Sequence, residues 1–428
     1  MENYLNASES RLKEIYSDLL KRYQRFKDMN LKLNMARGKP SSEQLDLSLE
    51  MLDVLSSTSD LNSRDNVDLR NYGICDGIPE IKEFISDLSG IPADNFIVGG
   101  NSSLSMMFDT ISHFMIKGAN GCKPWISQGK IKFLCPAPGY DRHFAISDYF
   151  GMEMITIPMT KTGPDMDLVE KLVKNDEQIK GIWCVPKYSN PQGITYSDET
   201  VKRLANLKTA AKDFRIIWDN AYFIHDLSDD GDNLLNIMEE CKKAGTENLP
   251  IVFFSTSKIT FPGAGVAFMA CADENLSALK KMYSTKTVGF DKLNQLRHLR
   301  FLKDKETILN HMKKHRGILK PKFDLIIGTL EREFSDNPII KWENPNGGYF
   351  VSVETYPHCA KEVVELCKNA GVILTGAGAT YPYKNDPNDS NIRLAPTYPS
   401  KDELKLAMEL FCICVKIAVI EKRINKNK

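Results

Sequence analysis

The 428-residue chain carries no excess charge of either sign, with 56 Lys and Arg against 56 Asp and Glu. Sequence-independent nucleic-acid binding needs surplus cations to displace counterions, so this balance argues against it. There is no long hydrophobic run either. The most apolar stretch, Leu410 to Ile420, is interrupted by Lys416. It falls well short of the ~20 apolar residues that a membrane span requires. The opening MENYLNASESRLKE lacks the apolar segment of a secretory signal. The ten cysteines form no CxxC pair, and several lie inside apolar runs (FLC, WCV, FMAC). A free thiol there behaves as a small hydrophobe. These absences predict a reduced, cytoplasmic protein with no nucleic-acid or membrane partner, no metal and no disulfide framework. No internal repeat or low-complexity tract occurs beyond the basic tail KRINKNK, which is expected to fray.

The length allows two or three domains of roughly 150 residues. Over residues 8–28, Leu12, Ile15, Tyr16, Leu19, Leu20, Tyr23 and Phe26 recur at helical spacing. From about 55 to 300, short apolar runs alternate with helical patterns. The runs are FIVGG (96–100), KFLC (132–135), MEMITIP (152–158), GIWCVP (181–186), RIIWD (215–219), IVFFST (251–256) and VAFMACA (266–272). Helical stretches at 101–116, 165–174 and 197–212 fill gaps between them. This alternation predicts an α/β fold, a mostly parallel sheet covered by helices on both faces. Beyond 305 come a long charged helix, short strands near 349–353 and 371–375, and a last helix from Ser400, where Glu403 completes a capping box.

In such sheets ligands bind beyond the carboxyl ends of the strands. The residues that follow each run are therefore the candidates. After FIVGG, Asn101-Ser102-Ser103 opens a helix whose free N–H groups suit an anion, although a plain helix cap reads the same way. After KFLC, Tyr140 follows a proline-shaped loop, PAPG, where it covers a flat ring or simply packs. After GIWCVP, Asn190 is restrained by Pro191 and stands ready to donate to a phenolate oxygen, or serves a turn. Asp219 ends a buried strand, where a carboxylate needs a partner: a helix N-cap or a cationic ring nitrogen. Lys258 stands just past a hydrophobic strand, so desolvation lowers its pKa unless it snorkels to water. Ser255 and Ser257 beside it suit an oxyanion. Arg393, in an apolar frame, suits bidentate carboxylate capture or a structural ion pair.

Taken in order, these landmarks closely resemble one family over residues 30 to 415: the class I aminotransferases of pyridoxal-5′-phosphate (PLP) fold type I. The matching residues are Tyr72-Gly73…Gly77-Ile78-Pro79-Glu80, Gly99-Gly100, Pro138-Gly139-Tyr140, Asn190-Pro191-Gln192-Gly193, Asp219-x-x-Tyr222, Ser255-x-x-Lys258 and Asn391-x-Arg393. KYSNPQG, DKLNQLRH and NIRLAPTYP resemble the MocR-type or aspartate-aminotransferase-like branch.

The resemblance implies a seven-stranded large domain over 55–304. It implies a smaller α+β domain built from both termini, with 1–54 as N-terminal helix and arm and 305–428 as the C-terminal part. It implies that Lys258 forms the Schiff base with PLP, that Asp219 pairs with the ring nitrogen, and that Asn190 and Tyr222 reach the phenolic oxygen. Tyr140 would stack on the ring. Gly100, Asn101, Ser102 and Ser255 would hold the phosphate, Arg393 the substrate α-carboxylate, and Gly38 would line the entrance. Tyr72 would reach the neighbouring subunit's cofactor, which implies a homodimer with composite sites.

One departure stands out. Lys258-Ile-Thr-Phe-Pro-Gly-Ala-Gly265-Val266 lacks the phosphate-binding Arg that many relatives carry there. The implied activity is ping-pong transamination between an L-amino acid, with L-aspartate first, and 2-oxoglutarate. Lys39, Lys187, Lys292 and Arg297 are candidates for the second cation that a dicarboxylate needs. The same scaffold also supports β-lyases, decarboxylases and racemases. A non-catalytic PLP sensor behind a helix-turn-helix is the remaining alternative, but about 30 residues ahead of the core are too few for such a module.

Overall fold

The seven apolar runs become seven strands because their Val, Ile, Phe and Trp side chains suit a pleated surface buried on both faces. In the computed structural model, which describes residues 4–119 and 121–426, thirteen strands occur. They are β1 (Leu33–Asn34), β2 (Phe96–Val98), β3 (Lys132–Ala137), β4 (Glu153–Thr160), β5 (Gly163–Pro164), β6 (Ile179–Cys184), β7 (Arg215–Asp219), β8 (Pro250–Ser255), β9 (Ala267–Cys271), β10 (Ile340–Trp342), β11 (Val351–Thr355), β12 (Val372–Ile373) and β13 (Asn391–Leu394). The helices that matter below are α1 (Glu9–Asp28), α2 (Ser42–Asp46), α3 (Pro79–Ser89), α4 (Ser103–Lys117), α5 (Asp141–Tyr149), α6 (Met166–Asn175), α7 (Asp198–Ala205), α8 (Ile237–Ala244), α9 (Asp273–Lys286), α10 (Lys292–Leu302), α11 (Lys305–Phe334), α12 (Ala360–Asn369) and α13 (Lys401–Lys426).

The large sheet runs β2-β9-β8-β7-β6-β3-β4-β5. Its centre, from β8 to β4, is parallel, and β9 lies antiparallel between β2 and β8. The seven expected strands are all present. An eighth, the two-residue β5, turns back on the end of β4 at the sheet edge. Every residue of β6, β7, β8 and β9 is buried, as a sheet covered on both faces requires.

Arg393 lies on β13, whose partner β11 is antiparallel and places Ser352 opposite it. Strand β1 pairs in parallel with β12, which brings the loop after β1 to the same region. Helix α1 packs on α13, and α11 and α12 pack on α13 as well. The apolar run Leu410–Ile420 is thus core, not membrane, and Lys416 inside it reaches Glu333 at 2.7 Å. Among the described residues no helix is long and apolar enough to cross a membrane.

Two local expectations change. The helix expected over 197–212 stops at Ala205: Asn206 caps it, its side-chain amide donating to the Lys202 carbonyl at 2.8 Å, and beyond it the Ala210 amide pairs with the Val173 carbonyl at 2.8 Å. The tail expected to fray stays helical through Lys426, with Ile424 packed against the α13 core; residues 427 and 428 lie outside the described residues. The capping box at Ser400 forms as read, with Glu403 bonded to the Ser400 amide at 2.8 Å.

Burial of polar groups beneath the sheet is matched pairwise. Lys180 on β6 donates to Asp213 Oδ1 at 2.7 Å, and the other Asp213 oxygen accepts from Trp125 Nε1 at 3.0 Å and Gln128 Nε2 at 2.8 Å. Lys180 and Asp213 are 3% and 2% exposed, so removal of one partner strands a charge. Asp213→Ala should lower unfolding free energy by about 3–5 kcal/mol, measured by chemical denaturation; a loss under about 1 kcal/mol would show that the pair does not stabilise the fold.

Candidate active site

Strands β3, β6, β7 and β8 run parallel, so their carboxyl ends open on one side of the sheet. Those ends and the loops after them carry Tyr140, Asn190, Asp219 and Lys258. The topology thus assembles residues that are up to about a hundred positions apart in the chain.

Asp219 closes β7 and is buried. His143 Nε2, on the first turn of α5, lies 3.0 Å from Asp219 Oδ2. A carboxylate only accepts, so this nitrogen carries the proton. The imidazole is fixed from behind by Trp183, stacked at 4.5 Å and 11°, and from the side by Tyr140, edge-on at 4.9 Å. The other oxygen, Asp219 Oδ1, is buried without a hydrogen-bond partner. A lone buried acceptor is costly unless something fills its lone pairs. It is therefore aimed at a donor that the chain itself does not supply.

Lys258 sits in the turn after β8. Its Nζ lies 4.9 Å from the Tyr222 ring centroid and 5.8 Å from that of Tyr349. Burial pushes the amine below its ordinary value, and the Asp219 charge acts the other way. Burial also raises the Tyr222 hydroxyl well above its usual range, so it remains a donor.

Arg393 is buried, with its guanidinium 4.8 Å from the Phe350 ring centroid. Its Nη1 donates to Asn190 Oδ1 at 3.1 Å and to Asp141 Oδ1 at 2.9 Å, and its Nε to Thr375 Oγ1 at 3.3 Å. The Asp141 contact shows that a carboxylate fits this edge of the guanidinium. Because Asn190 Oδ1 faces Arg393, its amide nitrogen is left to donate elsewhere. Gly38 passes over the Phe350 ring so closely that a Cβ would lie 2.4 Å from Cζ. Only glycine allows that approach, and it places the Ala36–Lys39 loop beside Arg393.

At the start of α4, Gly100 and Asn101 precede Ser102, whose hydroxyl makes no cap bond. The Asn101 side chain turns instead to the Pro262 and Gly263 carbonyls, at 3.4 and 3.2 Å, and its own carbonyl accepts from Ser257 Oγ at 3.1 Å. Ser255 is buried at the end of β8. Where the family's Arg would stand, Gly265 has Thr256 Oγ1, Phe261 O and Asn101 O within 3.2–3.4 Å of a would-be Cβ. Tyr72 is 80% exposed.

The four candidate second cations differ. Lys187 pairs with Asp226 at 2.8 Å, and Lys292 donates to the Gly73 carbonyl at 3.0 Å. The Arg297 Nε is buried without a partner. Lys39 stands on the loop beside Arg393, its Nζ 3.8 Å from the Tyr398 ring centroid.

Sequence reasoning did not find His143, Asp141, Thr375 or Tyr349. For His143 a signal existed. It lies three residues after Tyr140, hence on the same face at the start of a helix, and a carboxylate at the end of a buried strand needs such a donor.

The aspartate amino-transferase family model matches residues 7–427. An aspartate aminotransferase of Corynebacterium glutamicum is 44% identical over 96% of this chain and 95% of its own. The solved structure of an aspartate transaminase from that organism superimposes with a TM-score of 0.95 at 42% identity, covering 98% of this chain and 99% of that one. An α-aminoadipate aminotransferase from Thermus thermophilus, solved in complex with N-(5′-phosphopyridoxyl)-L-leucine, shares the fold at 20% identity, with a TM-score of 0.74 and coverage of 97% and 96%. With a family model spanning nearly its whole length and a close relative over nearly all of it, the chain belongs to the aspartate aminotransferase family.

Proposed function

We propose that this protein transfers an amino group between L-aspartate and 2-oxoglutarate in two half-reactions, with PLP as its cofactor, acting as a cytoplasmic homodimer. The observation that carries the reading is the pairing of a desolvated amine, Lys258, with the buried, unpartnered Asp219 Oδ1 in one site. The residues fit the cofactor: Asp219 Oδ1 would hold a protonated ring nitrogen, the Asn190 amide and Tyr222 hydroxyl would hold a phenolic oxygen, and the α4 N-terminus with Ser102 and Ser255 would hold a phosphate. When bound, PLP supplies an electron sink for the pair released from a substrate Cα–H bond.

The chain's own groups do the rest. Asp219, oriented by His143, holds a proton at the ring nitrogen. Tyr140 covers the ring face. Arg393 grips the α-carboxylate and fixes the substrate's orientation. Lys258 holds the cofactor between turnovers and, when free, takes the Cα proton. A lowered pKa leaves more of this amine unprotonated at neutral pH than its ordinary value of 10.5 allows, as a general base requires. Lys39, on the Arg393 loop, is the best placed of the four cations for a distal carboxylate. The chain is organised as an arm over 1–54, a cofactor-binding domain over 55–304 and a C-terminal part of the small domain over 305–428. The exposed Tyr72 completes the site of a second subunit.

In a panel of L-amino acids with 2-oxoglutarate as acceptor, L-aspartate should give the highest kcat/KM. A panel with no preference for dicarboxylic donors would remove the aspartate assignment and leave transamination standing. Lys258→Ala should lose the visible absorbance of the bound cofactor and at least about 10³-fold in turnover; retained turnover would reject Lys258 as the base. For the composite site, Tyr72→Ala and Lys258→Ala proteins unfolded and refolded together should recover activity above either alone, because mixed dimers contain one intact site. Activity equal to the average of the two parents would instead place Tyr72 outside the partner's site.

A further inference from the structure

The turn that carries Lys258 exposes its carbonyls toward the inside of the protein. Thr256 O accepts from the Ile259 and Thr260 amides, both at 2.9 Å, so 256–260 form one tight turn. The carbonyls of Lys258 and Ile259, further along, find no backbone donor in that turn. A buried carbonyl without a partner is unfavourable. Side chains from three distant segments meet this need, all of them outside the eight-stranded sheet.

His311 Nε2 and His315 Nε2, one turn apart on α11, lie 2.8 and 3.0 Å from Ile259 O. Ser48 Oγ reaches the same oxygen at 3.4 Å. Tyr349, just ahead of β11, donates its hydroxyl to Lys258 O at 3.4 Å. Gln44 on α2 then links the two groups. Its Nε2 lies 2.9 Å from the Tyr349 hydroxyl and 3.1 Å from His315 Nδ1. The protons are determined by these contacts. An amide nitrogen only donates, so His315 Nδ1 accepts and His315 Nε2 carries the hydrogen toward Ile259 O. The arrangement needs a neutral His315, and burial, with the His311 charge second, pushes it down to about 4. Burial also lowers His311.

Packed behind the turn is His225, 4% exposed, whose ring faces the Lys258 backbone. It stands edge-on to Tyr222 at 5.6 Å and at a steep angle to Tyr349 at 5.8 Å. Burial, then the charge of Lys258, pushes it well below its ordinary value. Its backbone binds the same segment that presents Tyr349: Gly348 N donates to His225 O at 2.9 Å.

We propose that Gln44, His315 and Tyr349 are positioning residues for Lys258, gripping the carbonyls of its turn so that the amine is held opposite Asp219. The inference rests on the reading of Lys258 as the reacting amine. It goes further by assigning control of that amine to Gln44 on α2 and His315 on the long helix α11, which act through the backbone of the turn and not on substrate or cofactor. The position of the amine then depends on how these outer segments sit against the sheet.

The test uses the cofactor-loaded enzyme and its cofactor-free form. Tyr349→Phe removes only the hydroxyl and keeps the ring against Tyr222. Gln44→Leu cuts the link between Tyr349 and His315. Each variant should lower kcat about 3–10-fold, the weight of one hydrogen bond, with KM for aspartate changed less than about twofold. The pH midpoint of the bound cofactor's visible band should move by about half a unit or more. Backbone amides of 256–261 should exchange about tenfold faster in the cofactor-free protein. The double variant should be no worse than the weaker single one, since both cut one chain. His315→Gln, which keeps a donor and an acceptor, should retain more activity than His315→Leu.

Wild-type kcat, band midpoint and exchange in Tyr349→Phe would overturn the proposal, even if the melting temperature fell, because a purely structural role predicts that pattern. Failure of the underlying reading is separable: it appears as activity surviving Lys258→Ala, whatever these variants do.

Discussion

The site depends on one constraint: an amine and a carboxylate share a region from which water is largely excluded. In water Lys258 would stay protonated at neutral pH and useless as a base. Carried on the turn after β8 and walled by Tyr222 and Tyr349, it is desolvated, and the charged form loses its hydration. Asp219 opposes that shift from the end of the next strand. The carboxylate stays in a buried place because His143 satisfies one oxygen. On the proposed reading the second oxygen is the recognition element: were both satisfied by the chain, no unmet acceptor would select a protonated ring.

This explains why so much structure is spent behind the site. Trp183 stacks on His143 and fixes the plane of the imidazole. The parallel order β8-β7-β6-β3 makes the four loops neighbours. Arg393 comes from a different sheet and is held by Asn190, Asp141 and Thr375 before any substrate arrives. A guanidinium fixed in this way loses little side-chain entropy on binding a carboxylate. Asn190 Oδ1 orients Arg393, and on the proposed reading its nitrogen is left for the cofactor, so one amide would couple the two halves of the site.

The legible part of the sequence was the part in which local chemistry and tertiary role agree. The seven apolar runs read directly as strands, and Asp219, Lys258 and Arg393 stood out because charged residues at strand ends or in apolar frames need an explanation. The eighth strand escaped because Gly163 and Pro164 have no strand propensity and pair only where β4 turns back. The end of α7 escaped although Asn206 marks it, because an Asn is a weak signal by itself and the residues after it are held by a tertiary contact, the Ala210 amide on Val173. Gln44, His311, His315 and Tyr349 escaped for a deeper reason. Each is an ordinary residue in its own segment, and only the folded chain brings positions separated by about 270 or 305 residues into one hydrogen-bonded group.

The missing arginine near Gly265 shows how the same logic bears on the phosphate. An arginine there would need a side chain to leave a backbone already close to Thr256 Oγ1, Phe261 O and Asn101 O. Thr256 Oγ1 accepts from the Val266 amide at 2.9 Å and lies 3.1 Å from His298 Nε2, so this corner is filled by neutral hydrogen bonds. Helix α10 supplies them: Asn294 donates to the Ala264 and Gly265 carbonyls, both at 3.0 Å, and His298 follows one turn later. On the proposed reading, the phosphate relies on the α4 N-terminus, where free amides and the helix dipole concentrate about half a positive charge. That is less than a full cation. The binding of the cofactor then leans more heavily on Asp219 and on the covalent hold of Lys258, which is a reason for the turn carrying that lysine to be gripped from so many sides.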